Sequence, residues 1–509
     1  MADVCHLTIQ HRSSGRTLVN DLSFSVQSGD RIAIIGEEGN GKSTLLKYLF
    51  DPTLTEPYAE ARGSSALGSM RPAFLYQELP EDALRQSVYD YLVSAGAFAV
   101  STDAELMHQA ALLGFLPERI YDAQPVGTLS GGEKVKLQLL RVLAAQPGLL
   151  LLDEPTNDVD IETLQYLSDF LNTCGLPVIY VSHDETLLEE TATAIIHLEQ
   201  IHLKTVCRSG FYRLPYRAYV DARLSAYARQ RQIARKEAAA YRARMERYRQ
   251  LFERVQSEQA HVSRGDPHGG RLLKKKMHAV KSMGRRFERE KEQLTELPVM
   301  EDAMFLSFPP VNQPRGKEIL RLSLDALSAG ERVLCRDIAL TVHGGEHIGI
   351  IGSNGVGKTT LLKHIARQLA ARTDISTFYM PQAYAELLPM RQSAVAFLAP
   401  DGDKERVTKA RLHLGSVRFT REEMLAPIGS LSGGQRAKLC LLRPILSGAD
   451  VLLLDEPTRN FSPLSNPVIR DILSGFGGAI LSVSHDRKYL LEVCETLYRL
   501  TPEGLMRQW

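Results

Sequence analysis

A chain of 509 residues is long enough for about three domains. Its 44% hydrophobic and 24% charged residues are those of an ordinary globular protein, and a net charge of +1 says nothing about partners. No apolar run approaches the roughly 18 residues of a membrane span and no signal peptide is visible. The six cysteines (Cys5, Cys174, Cys207, Cys335, Cys440, Cys494) are scattered without a C-x-x-C pair, which speaks against a zinc site or disulfide framework and for a reducing, cytoplasmic setting.

In chain order, the apolar run Arg31–Ile35 reads as a strand, and Gly36-Glu37-Glu38-Gly39-Asn40-Gly41-Lys42-Ser43 follows it. An apolar helix then opens at Thr44 and runs to Leu49. This is the phosphate-loop pattern G-x-x-x-x-G-K-[ST] in the context it needs. Its glycines let backbone N–H groups wrap phosphates, the helix N-terminus adds positive potential, the lysine neutralises β/γ oxygens and the hydroxyl ligates Mg²⁺. A strand at Ala73–Tyr76 leads to Gln77, and Leu129-Ser130-Gly131-Gly132-Glu133 comes next. Four apolar residues, Leu149–Leu152, then precede Asp153-Glu154-Pro155-Thr156, and Ser182-His183-Asp184 closes the series.

The whole series is written a second time. The strand His347–Ile351 leads into Gly352-Ser353-Asn354-Gly355-Val356-Gly357-Lys358-Thr359 and a helix from Thr360 to Ile365. Phe378–Met380 precedes Gln382, Leu431-Ser432-Gly433-Gly434-Gln435 repeats the glycine pair, Val451–Leu454 leads to Asp455-Glu456-Pro457-Thr458, and Ser484-His485-Asp486 ends the copy. The offset is 316 at the phosphate loops, 305 at the glutamines and 302 at the last three motifs. The drift places 11 extra residues of the first copy within Asp51–Met70. Any one of these motifs alone is more often a plain turn or helix start; a full series in register twice is not.

Between the copies, residues 211–300 hold 22 Lys and Arg against 10 Asp and Glu, an excess of 12 positive charges in a chain whose total is +1. From about Tyr219 to Ala260 there is no Pro or Gly, so one helix of roughly 60 Å is predicted. Gly265, Pro267, Gly269 and Gly270 predict a turn within His261–Gly270, and a second helix is expected from about Arg271 to Leu297, starting Arg271-Leu272-Leu273-Lys274-Lys275-Lys276. The expectation is a helical hairpin with a basic tip. A solvated spacer is the bland reading of such a face. Arginines interleaved with tyrosines (Tyr227, Tyr241, Arg242, Arg244, Arg247, Tyr248, Arg249) also suit phosphate contact and base stacking.

Phosphate loop, glutamine, L-S-G-G, L-L-L-D-E-P and histidine, in that order and twice, resemble the ATP-binding-cassette ATPases over roughly residues 1–205 and 318–509. The resemblance implies an α/β fold: two RecA-like nucleotide-binding domains, each with a β-subdomain and a helical subdomain. The expected division is 1–210, a hairpin linker 211–300, and 301–509. It further implies ATP and Mg²⁺ as cofactors, with ATP bound by Gly36, Gly39, Asn40, Gly41, Lys42, Ser43 and Thr44 and by Gly352, Asn354, Gly355, Gly357, Lys358, Thr359 and Thr360. Asp153 and Asp455 would hold Mg²⁺ with Ser43 and Thr359, and Gln77 and Gln382 would contact the metal or the water. Glu154 and Glu456 would polarise the attacking water, and His183 and His485 would sense the γ-phosphate. In the family the γ-phosphate at one site is contacted by the other copy's signature. Ser432, Gly433 and Gly434 would therefore complete the first site, and Ser130, Gly131 and Gly132 the second, in a sandwich within one monomer. Two departures matter. Where family members place an adenine-stacking aromatic, the copies offer only His11 or Arg12 and Leu327 or Ser328, which leaves GTP open. After the glutamates, Asn157-Asp158-Val159-Asp160 is answered by Arg459-Asn460-Phe461-Ser462, without the final acid, so unequal hydrolysis at the two sites is expected.

Paired cassettes joined by a long basic hairpin, without membrane spans, resemble the ABC-F family. That implies binding to the bacterial 70S ribosome near the tRNA exit site, with the linker reaching rRNA, P-site tRNA and the peptidyl-transferase centre, and no membrane or DNA partner. Only 53 positions separate Gln77 from Ser130 and 50 separate Gln382 from Ser432, so the arm of housekeeping members is missing. With the substantial linker and the run Thr458–Pro467, this looks like the bacterial antibiotic-resistance branch, which protects ribosomes against lincosamides, pleuromutilins and streptogramins A. The tip around Val262–Lys276 would then approach the drug region. The competing readings are a general factor rescuing stalled ribosomes, the ATPase subunit of a membrane transporter, and a genome-maintenance ATPase. The linker's charge disfavours the transporter, and the absence of very long coiled coils or zinc modules disfavours the last.

Overall fold

The computed structural model describes residues 2–94, 103–157, 159–261, 267–298, 300–302, 304, 306–311, 314–330 and 332–509. Its residues form two compact units, one comprising Met1–Tyr216 with Glu301–Trp509, the other Arg217–Met300.

The first unit holds two six-stranded sheets with the same order. In the first copy the order is Pro72–Leu75, Leu149–Asp153, Val178–Val181, Arg31–Ile35, Ala194–Gln200 and Val206–Tyr212, all parallel except the last pair. In the second it is Thr377–Met380, Val451–Asp455, Ala479–Val483, His347–Ile351, Thr496–Thr501 and Gly504–Arg507, again antiparallel only at the end. The strands Leu149–Asp153 and Val451–Asp455 are buried at every position. A strand covered on both faces has no use for alternation, which is why they read as continuous apolar runs. Each releases its acid at the C-terminal edge, one strand removed from the strand that feeds the phosphate loop, where open α/β sheets bind ligands.

Antiparallel β layers pack on these sheets. The first copy has three strands, ordered Thr17–Val26, Ala2–His11, Ala59–Ser65; the second has two, Glu318–Ala329 and Arg332–His343. The extra strand lies inside the segment Asp51–Met70, where the drift in offset places the first copy's 11 additional residues. The signature helices Gly131–Ala144 and Gly433–Ser447 each start with a capping box, Ser130 with Glu133 and Ser432 with Gln435.

The second unit is a hairpin of two helices, Tyr216–His261, about 70 Å long, and Pro267–Glu292. The second helix begins four residues before the expected Arg271 and ends before Leu297. Pro267 opens it, a position where proline's missing N–H costs nothing, so Gly269 and Gly270 fall in its first turn rather than in a loop. Residues 262–266 of the expected turn lie outside the described residues. The seam is thin: Val255, Met277 and Val280 are buried, with Tyr248 and Phe252 against them. Tyr248 meets Phe287 edge-on at 5.7 Å and lies against Gly284, where even a Cβ would meet its hydroxyl at 2.4 Å. This corrects the expectation that Tyr248 is free to stack on a base: it packs the hairpin. Arg244 bonds to Glu290 at 3.2 Å and Lys276 pairs with Glu258 at 3.9 Å, while Arg242, Arg247, Arg249, Lys274 and Lys275 are exposed. Among the described residues no helix is long and apolar enough to cross a membrane.

Candidate active site

Each phosphate loop ends in a left-handed glycine, Gly41 (φ 93°) or Gly357 (φ 109°), that caps the following helix. At the loop's start Gly36 and Gly352 pass so close to the carbonyls of Leu198 and Leu500 that a Cβ would lie 2.3 and 2.5 Å from them. Both lysines fold into their loops. Lys42 donates to the carbonyls of Gly36 (3.0 Å) and Glu37 (3.2 Å), and Lys358 to those of Gly352 (2.7 Å) and Ser353 (3.0 Å).

Two cavities result, and each draws on both copies. The first, about 720 Å³, is lined by Gly39, Gly41, Lys42, Ser43, Thr44, Gln77, Glu154 and His183, with Arg459 and Asn460 from the second copy. The second, about 570 Å³, is lined by Asn354, Gly355, Gly357, Lys358, Thr359, Thr360, Gln382, Asp455, Glu456 and His485, with Gly131 from the first copy's signature. The signature serines face inward to their own helices: Ser130 Oγ accepts from the Glu133 N–H and Ser432 Oγ from the Gln435 N–H.

Both glutamates that follow the buried strand sit in the left-handed region, Glu154 at φ 48° and Glu456 at φ 53°. L side chains rarely adopt this region, so both copies hold a strained backbone at the same point. Their surroundings differ. Glu154 accepts from Asn157 Nδ2 (2.6 Å), Gln77 Nε2 (3.0 Å) and His183 Nε2 (3.2 Å). Burial alone would raise its pKa, but His183, Lys42 and Asn157 overrule it and hold the carboxyl at about 2. His183 is oriented from its other nitrogen, Nδ1, which lies 2.8 Å from the carbonyl of Phe461 in the second copy. Among the described residues Glu456 receives a long bond from the His485 backbone N–H (3.3 Å) and one from Ser484 Oγ (3.5 Å), and His485 Nε2 stands off at 3.8 Å. Burial, reinforced by Asp455, pushes the Glu456 carboxyl up to about 8, while burial and Lys358 push His485 down to about 4.

The metal-site expectation has a donor set that fits. Ser43 Oγ bonds to Asp153 Oδ1 at 2.9 Å, and burial raises Asp153 to about 6. In the second copy both carboxylate oxygens of Asp455 are buried beside the Thr359 hydroxyl, and burial raises the carboxyl's pKa. Hydroxyl and carboxylate oxygens at one edge of a phosphate loop suit a hard divalent ion such as Mg²⁺, which takes few protein ligands and completes its shell from phosphates and water. No cluster of three or more His, Cys, Asp or Glu able to hold a metal occurs among the described residues.

Other expected residues serve the scaffold. The Asn40 side chain is buried and donates to Leu198 O (3.0 Å) and to both oxygens of Glu301 (3.0 and 2.9 Å). Arg12 bonds to the Ala59 carbonyl at 3.2 Å, Leu327 lies in the second copy's core, and neither they nor Ser328 line either of these two cavities. His11 does line the first cavity, together with Tyr58, whose ring lies 6.3 Å from it, and Arg16; the second cavity has Ala329 and Leu334 instead. Tyr58 was not among the residues expected here. It lies just before the extra strand, and the 11-residue insertion was its only signal. Asp158 lies outside the described residues.

Between the copies, Arg470 and Glu185 form a two-pronged ion pair in which both side chains are about 5% exposed or less, and Lys488 adds bonds to Glu185 (3.2 Å) and Glu189 (2.6 Å). Arg487 reaches Gln165 at 3.1 Å.

A family profile described as "ABC transporter" matches residues 19–157 and 335–459. The ribosome protection protein VmlR of Bacillus subtilis is 30% identical over 531 aligned positions, covering 100% of this chain and 88% of that protein. The tylosin resistance ATP-binding protein TlrC of Streptomyces fradiae is 29% identical, covering 94% of each. Among solved structures, the archaeal ribosome recycling factor aABCE1, in complex with the ribosomal stalk protein aP1, superposes with a TM-score of 0.60 at 16% identity, covering 99% of this chain and 90% of that one. At that identity the match speaks for the fold alone.

Proposed function

Because the chain belongs to the ATP-binding-cassette family, as a two-cassette ATPase of the ABC-F kind, we propose that it is a ribosome-directed ATPase. In this reading the cassettes close on ATP and Mg²⁺ at the two sites and open on hydrolysis, with Glu154 and Glu456 as bases, His183 and His485 at the terminal phosphate, and Ser43, Asp153, Thr359 and Asp455 around the metal. The hairpin contacts rRNA and P-site tRNA near the tRNA exit site of the bacterial 70S ribosome. The outcome is protection of the peptidyl-transferase centre against ribosome-targeting antibiotics.

The observation that carries the proposal is the hairpin's charge. Residues 211–300 concentrate 12 excess positive charges, and most of the arginines and lysines named above point to solvent rather than into the seam. A spacer needs no such excess; a phosphate backbone rewards it through counterion release. The similarity to a ribosome protection protein and a tylosin resistance protein supports the same reading.

Replacing Lys274, Lys275 and Lys276 with Ala tests it. Ribosome affinity is expected to fall, and the slope of log affinity against log salt to flatten by about 2–3. Unchanged affinity at both low and high salt would remove the tip lysines from the interface. Growth on drug then separates protection from a general rescue factor: a chain that rescues stalled ribosomes but leaves drug sensitivity unchanged is the latter.

A further inference from the structure

The first phosphate loop carries two acids, Glu37 and Glu38, where the second carries Ser353 and Asn354. Both acids reach the second copy. Glu37 is buried among Lys438 Nζ (3.3 Å), Ser462 Oγ (2.8 Å) and Ser465 Oγ. Burial opposes its charge, but Lys438 and the two hydroxyls overrule burial and hold it at about 2. Its neighbour Glu38 accepts the backbone N–H of Gly434 through Oε2. That N–H belongs to the first turn of the 15-residue helix Gly433–Ser447, where the helix dipole favours an anion. The fit is close: a Cβ on Gly433 would lie 2.6 Å from the same oxygen.

We propose that Glu38 is a specificity-determining residue that weakens the first site's hold on a triphosphate and shifts it toward a nucleoside diphosphate relative to the second site. One N–H serves one strong acceptor. The terminal phosphoryl group of a triphosphate in this loop would need the signature N–H that the Glu38 carboxylate takes, and it brings like charge to the same spot. A diphosphate ends one phosphoryl group short and leaves the Glu38 contact in place. Glu37 keeps Glu38 in register, because its buried bonds fix the loop against the second copy. At the second site Asn354 lines the cavity with Gly131, and a neutral amide there opposes no phosphate. The inference rests on the assignment of the signature glycines to the terminal phosphate.

The test is equilibrium binding of ADP and ATP to the full chain carrying Glu154→Gln and Glu456→Gln, with Lys358→Ala to leave the first site alone. Adding Glu38→Asn is expected to lower the ratio of ATP to ADP dissociation constants by roughly tenfold or more. The reciprocal change, Asn354→Glu in a chain carrying Lys42→Ala, is expected to raise that ratio at the second site. A ratio unmoved by both changes overturns the proposal. A control separates the two failures: if Lys42→Ala added to the first-site chain leaves its nucleotide binding intact, the site assignment itself falls, and the proposal with it.

Discussion

The two nucleotide sites share motif, order and sheet position, yet they hold the glutamates proposed as general bases differently. Glu154 is gripped by a glutamine, an asparagine and a histidine and stays ionised to about pH 2, whereas Glu456 is buried with long, sparse bonds and titrates at about 8. The groups responsible lie in each glutamate's own copy: His183, Lys42 and Asn157 around Glu154, burial and Asp455 around Glu456. The opposite copy enters through the Phe461 carbonyl, which meets the far side of the His183 ring from the loop that departs from Asn157-Asp158-Val159-Asp160. A repeat thus supplies the same groups twice, and their immediate surroundings decide their charge.

The comparison can be broken or sharpened in three steps of decreasing effect. Removing the base is the largest. Phosphate release from a Lys358→Ala chain, which reports the first site, is expected to fall by about 10²–10⁴-fold when Glu154→Gln is added. Normal turnover in that double variant would strip Glu154 of its role. Next is the joint between copies. Arg470→Ala strands the Glu185 carboxylate and is expected to cost about 3–5 kcal/mol in denaturant unfolding, although Lys488 beside it softens the loss. The matching position in the first copy is Ser168, whose hydroxyl bonds to Glu190 at 2.6 Å, and Ser168→Ala is expected to cost only about 1–2 kcal/mol. Equal costs would show that the ion pair is not what fastens this face. The smallest effect is in pH. A base must be deprotonated to act, so turnover by the second site alone (Glu154→Gln) should be roughly tenfold higher at pH 9 than at pH 7, as Glu456 loses its proton near 8. Turnover by the first site alone (Glu456→Gln) should lack that rise, since Glu154 is already ionised. Parallel profiles would erase the distinction.

The groups that carry the chemistry were legible because their meaning is local. A phosphate loop needs its strand before and its helix after, and Lys42, Ser43, Asp153 and Glu154 with their counterparts fall at those junctions. What escaped is tertiary. The Glu38–Gly434 and Glu37–Ser465 contacts join residues 396 and 428 positions apart, and only the acids in place of Ser353 and Asn354 hinted at them. Asn40 falls in the phosphate loop by position, and Glu301, 261 residues away, takes its side-chain amide. Tyr58 followed no motif and arrived with an insertion. In the hairpin, helix propensity placed the long first helix well, but glycines were weighed as breakers where a proline at the first helical position permits a start. Tyr248 was read by composition, and its partner Phe287 on the returning helix decided otherwise.

The most direct measurement is sedimentation of the Glu154→Gln, Glu456→Gln chain with bacterial 70S ribosomes, with ATP and without nucleotide. A closed, non-hydrolysing pair of cassettes should travel with the ribosome only when ATP is present. Absence of the protein from the ribosomal pellet at modest salt in both conditions would contradict the ribosome as target and return the transporter-subunit reading to first place.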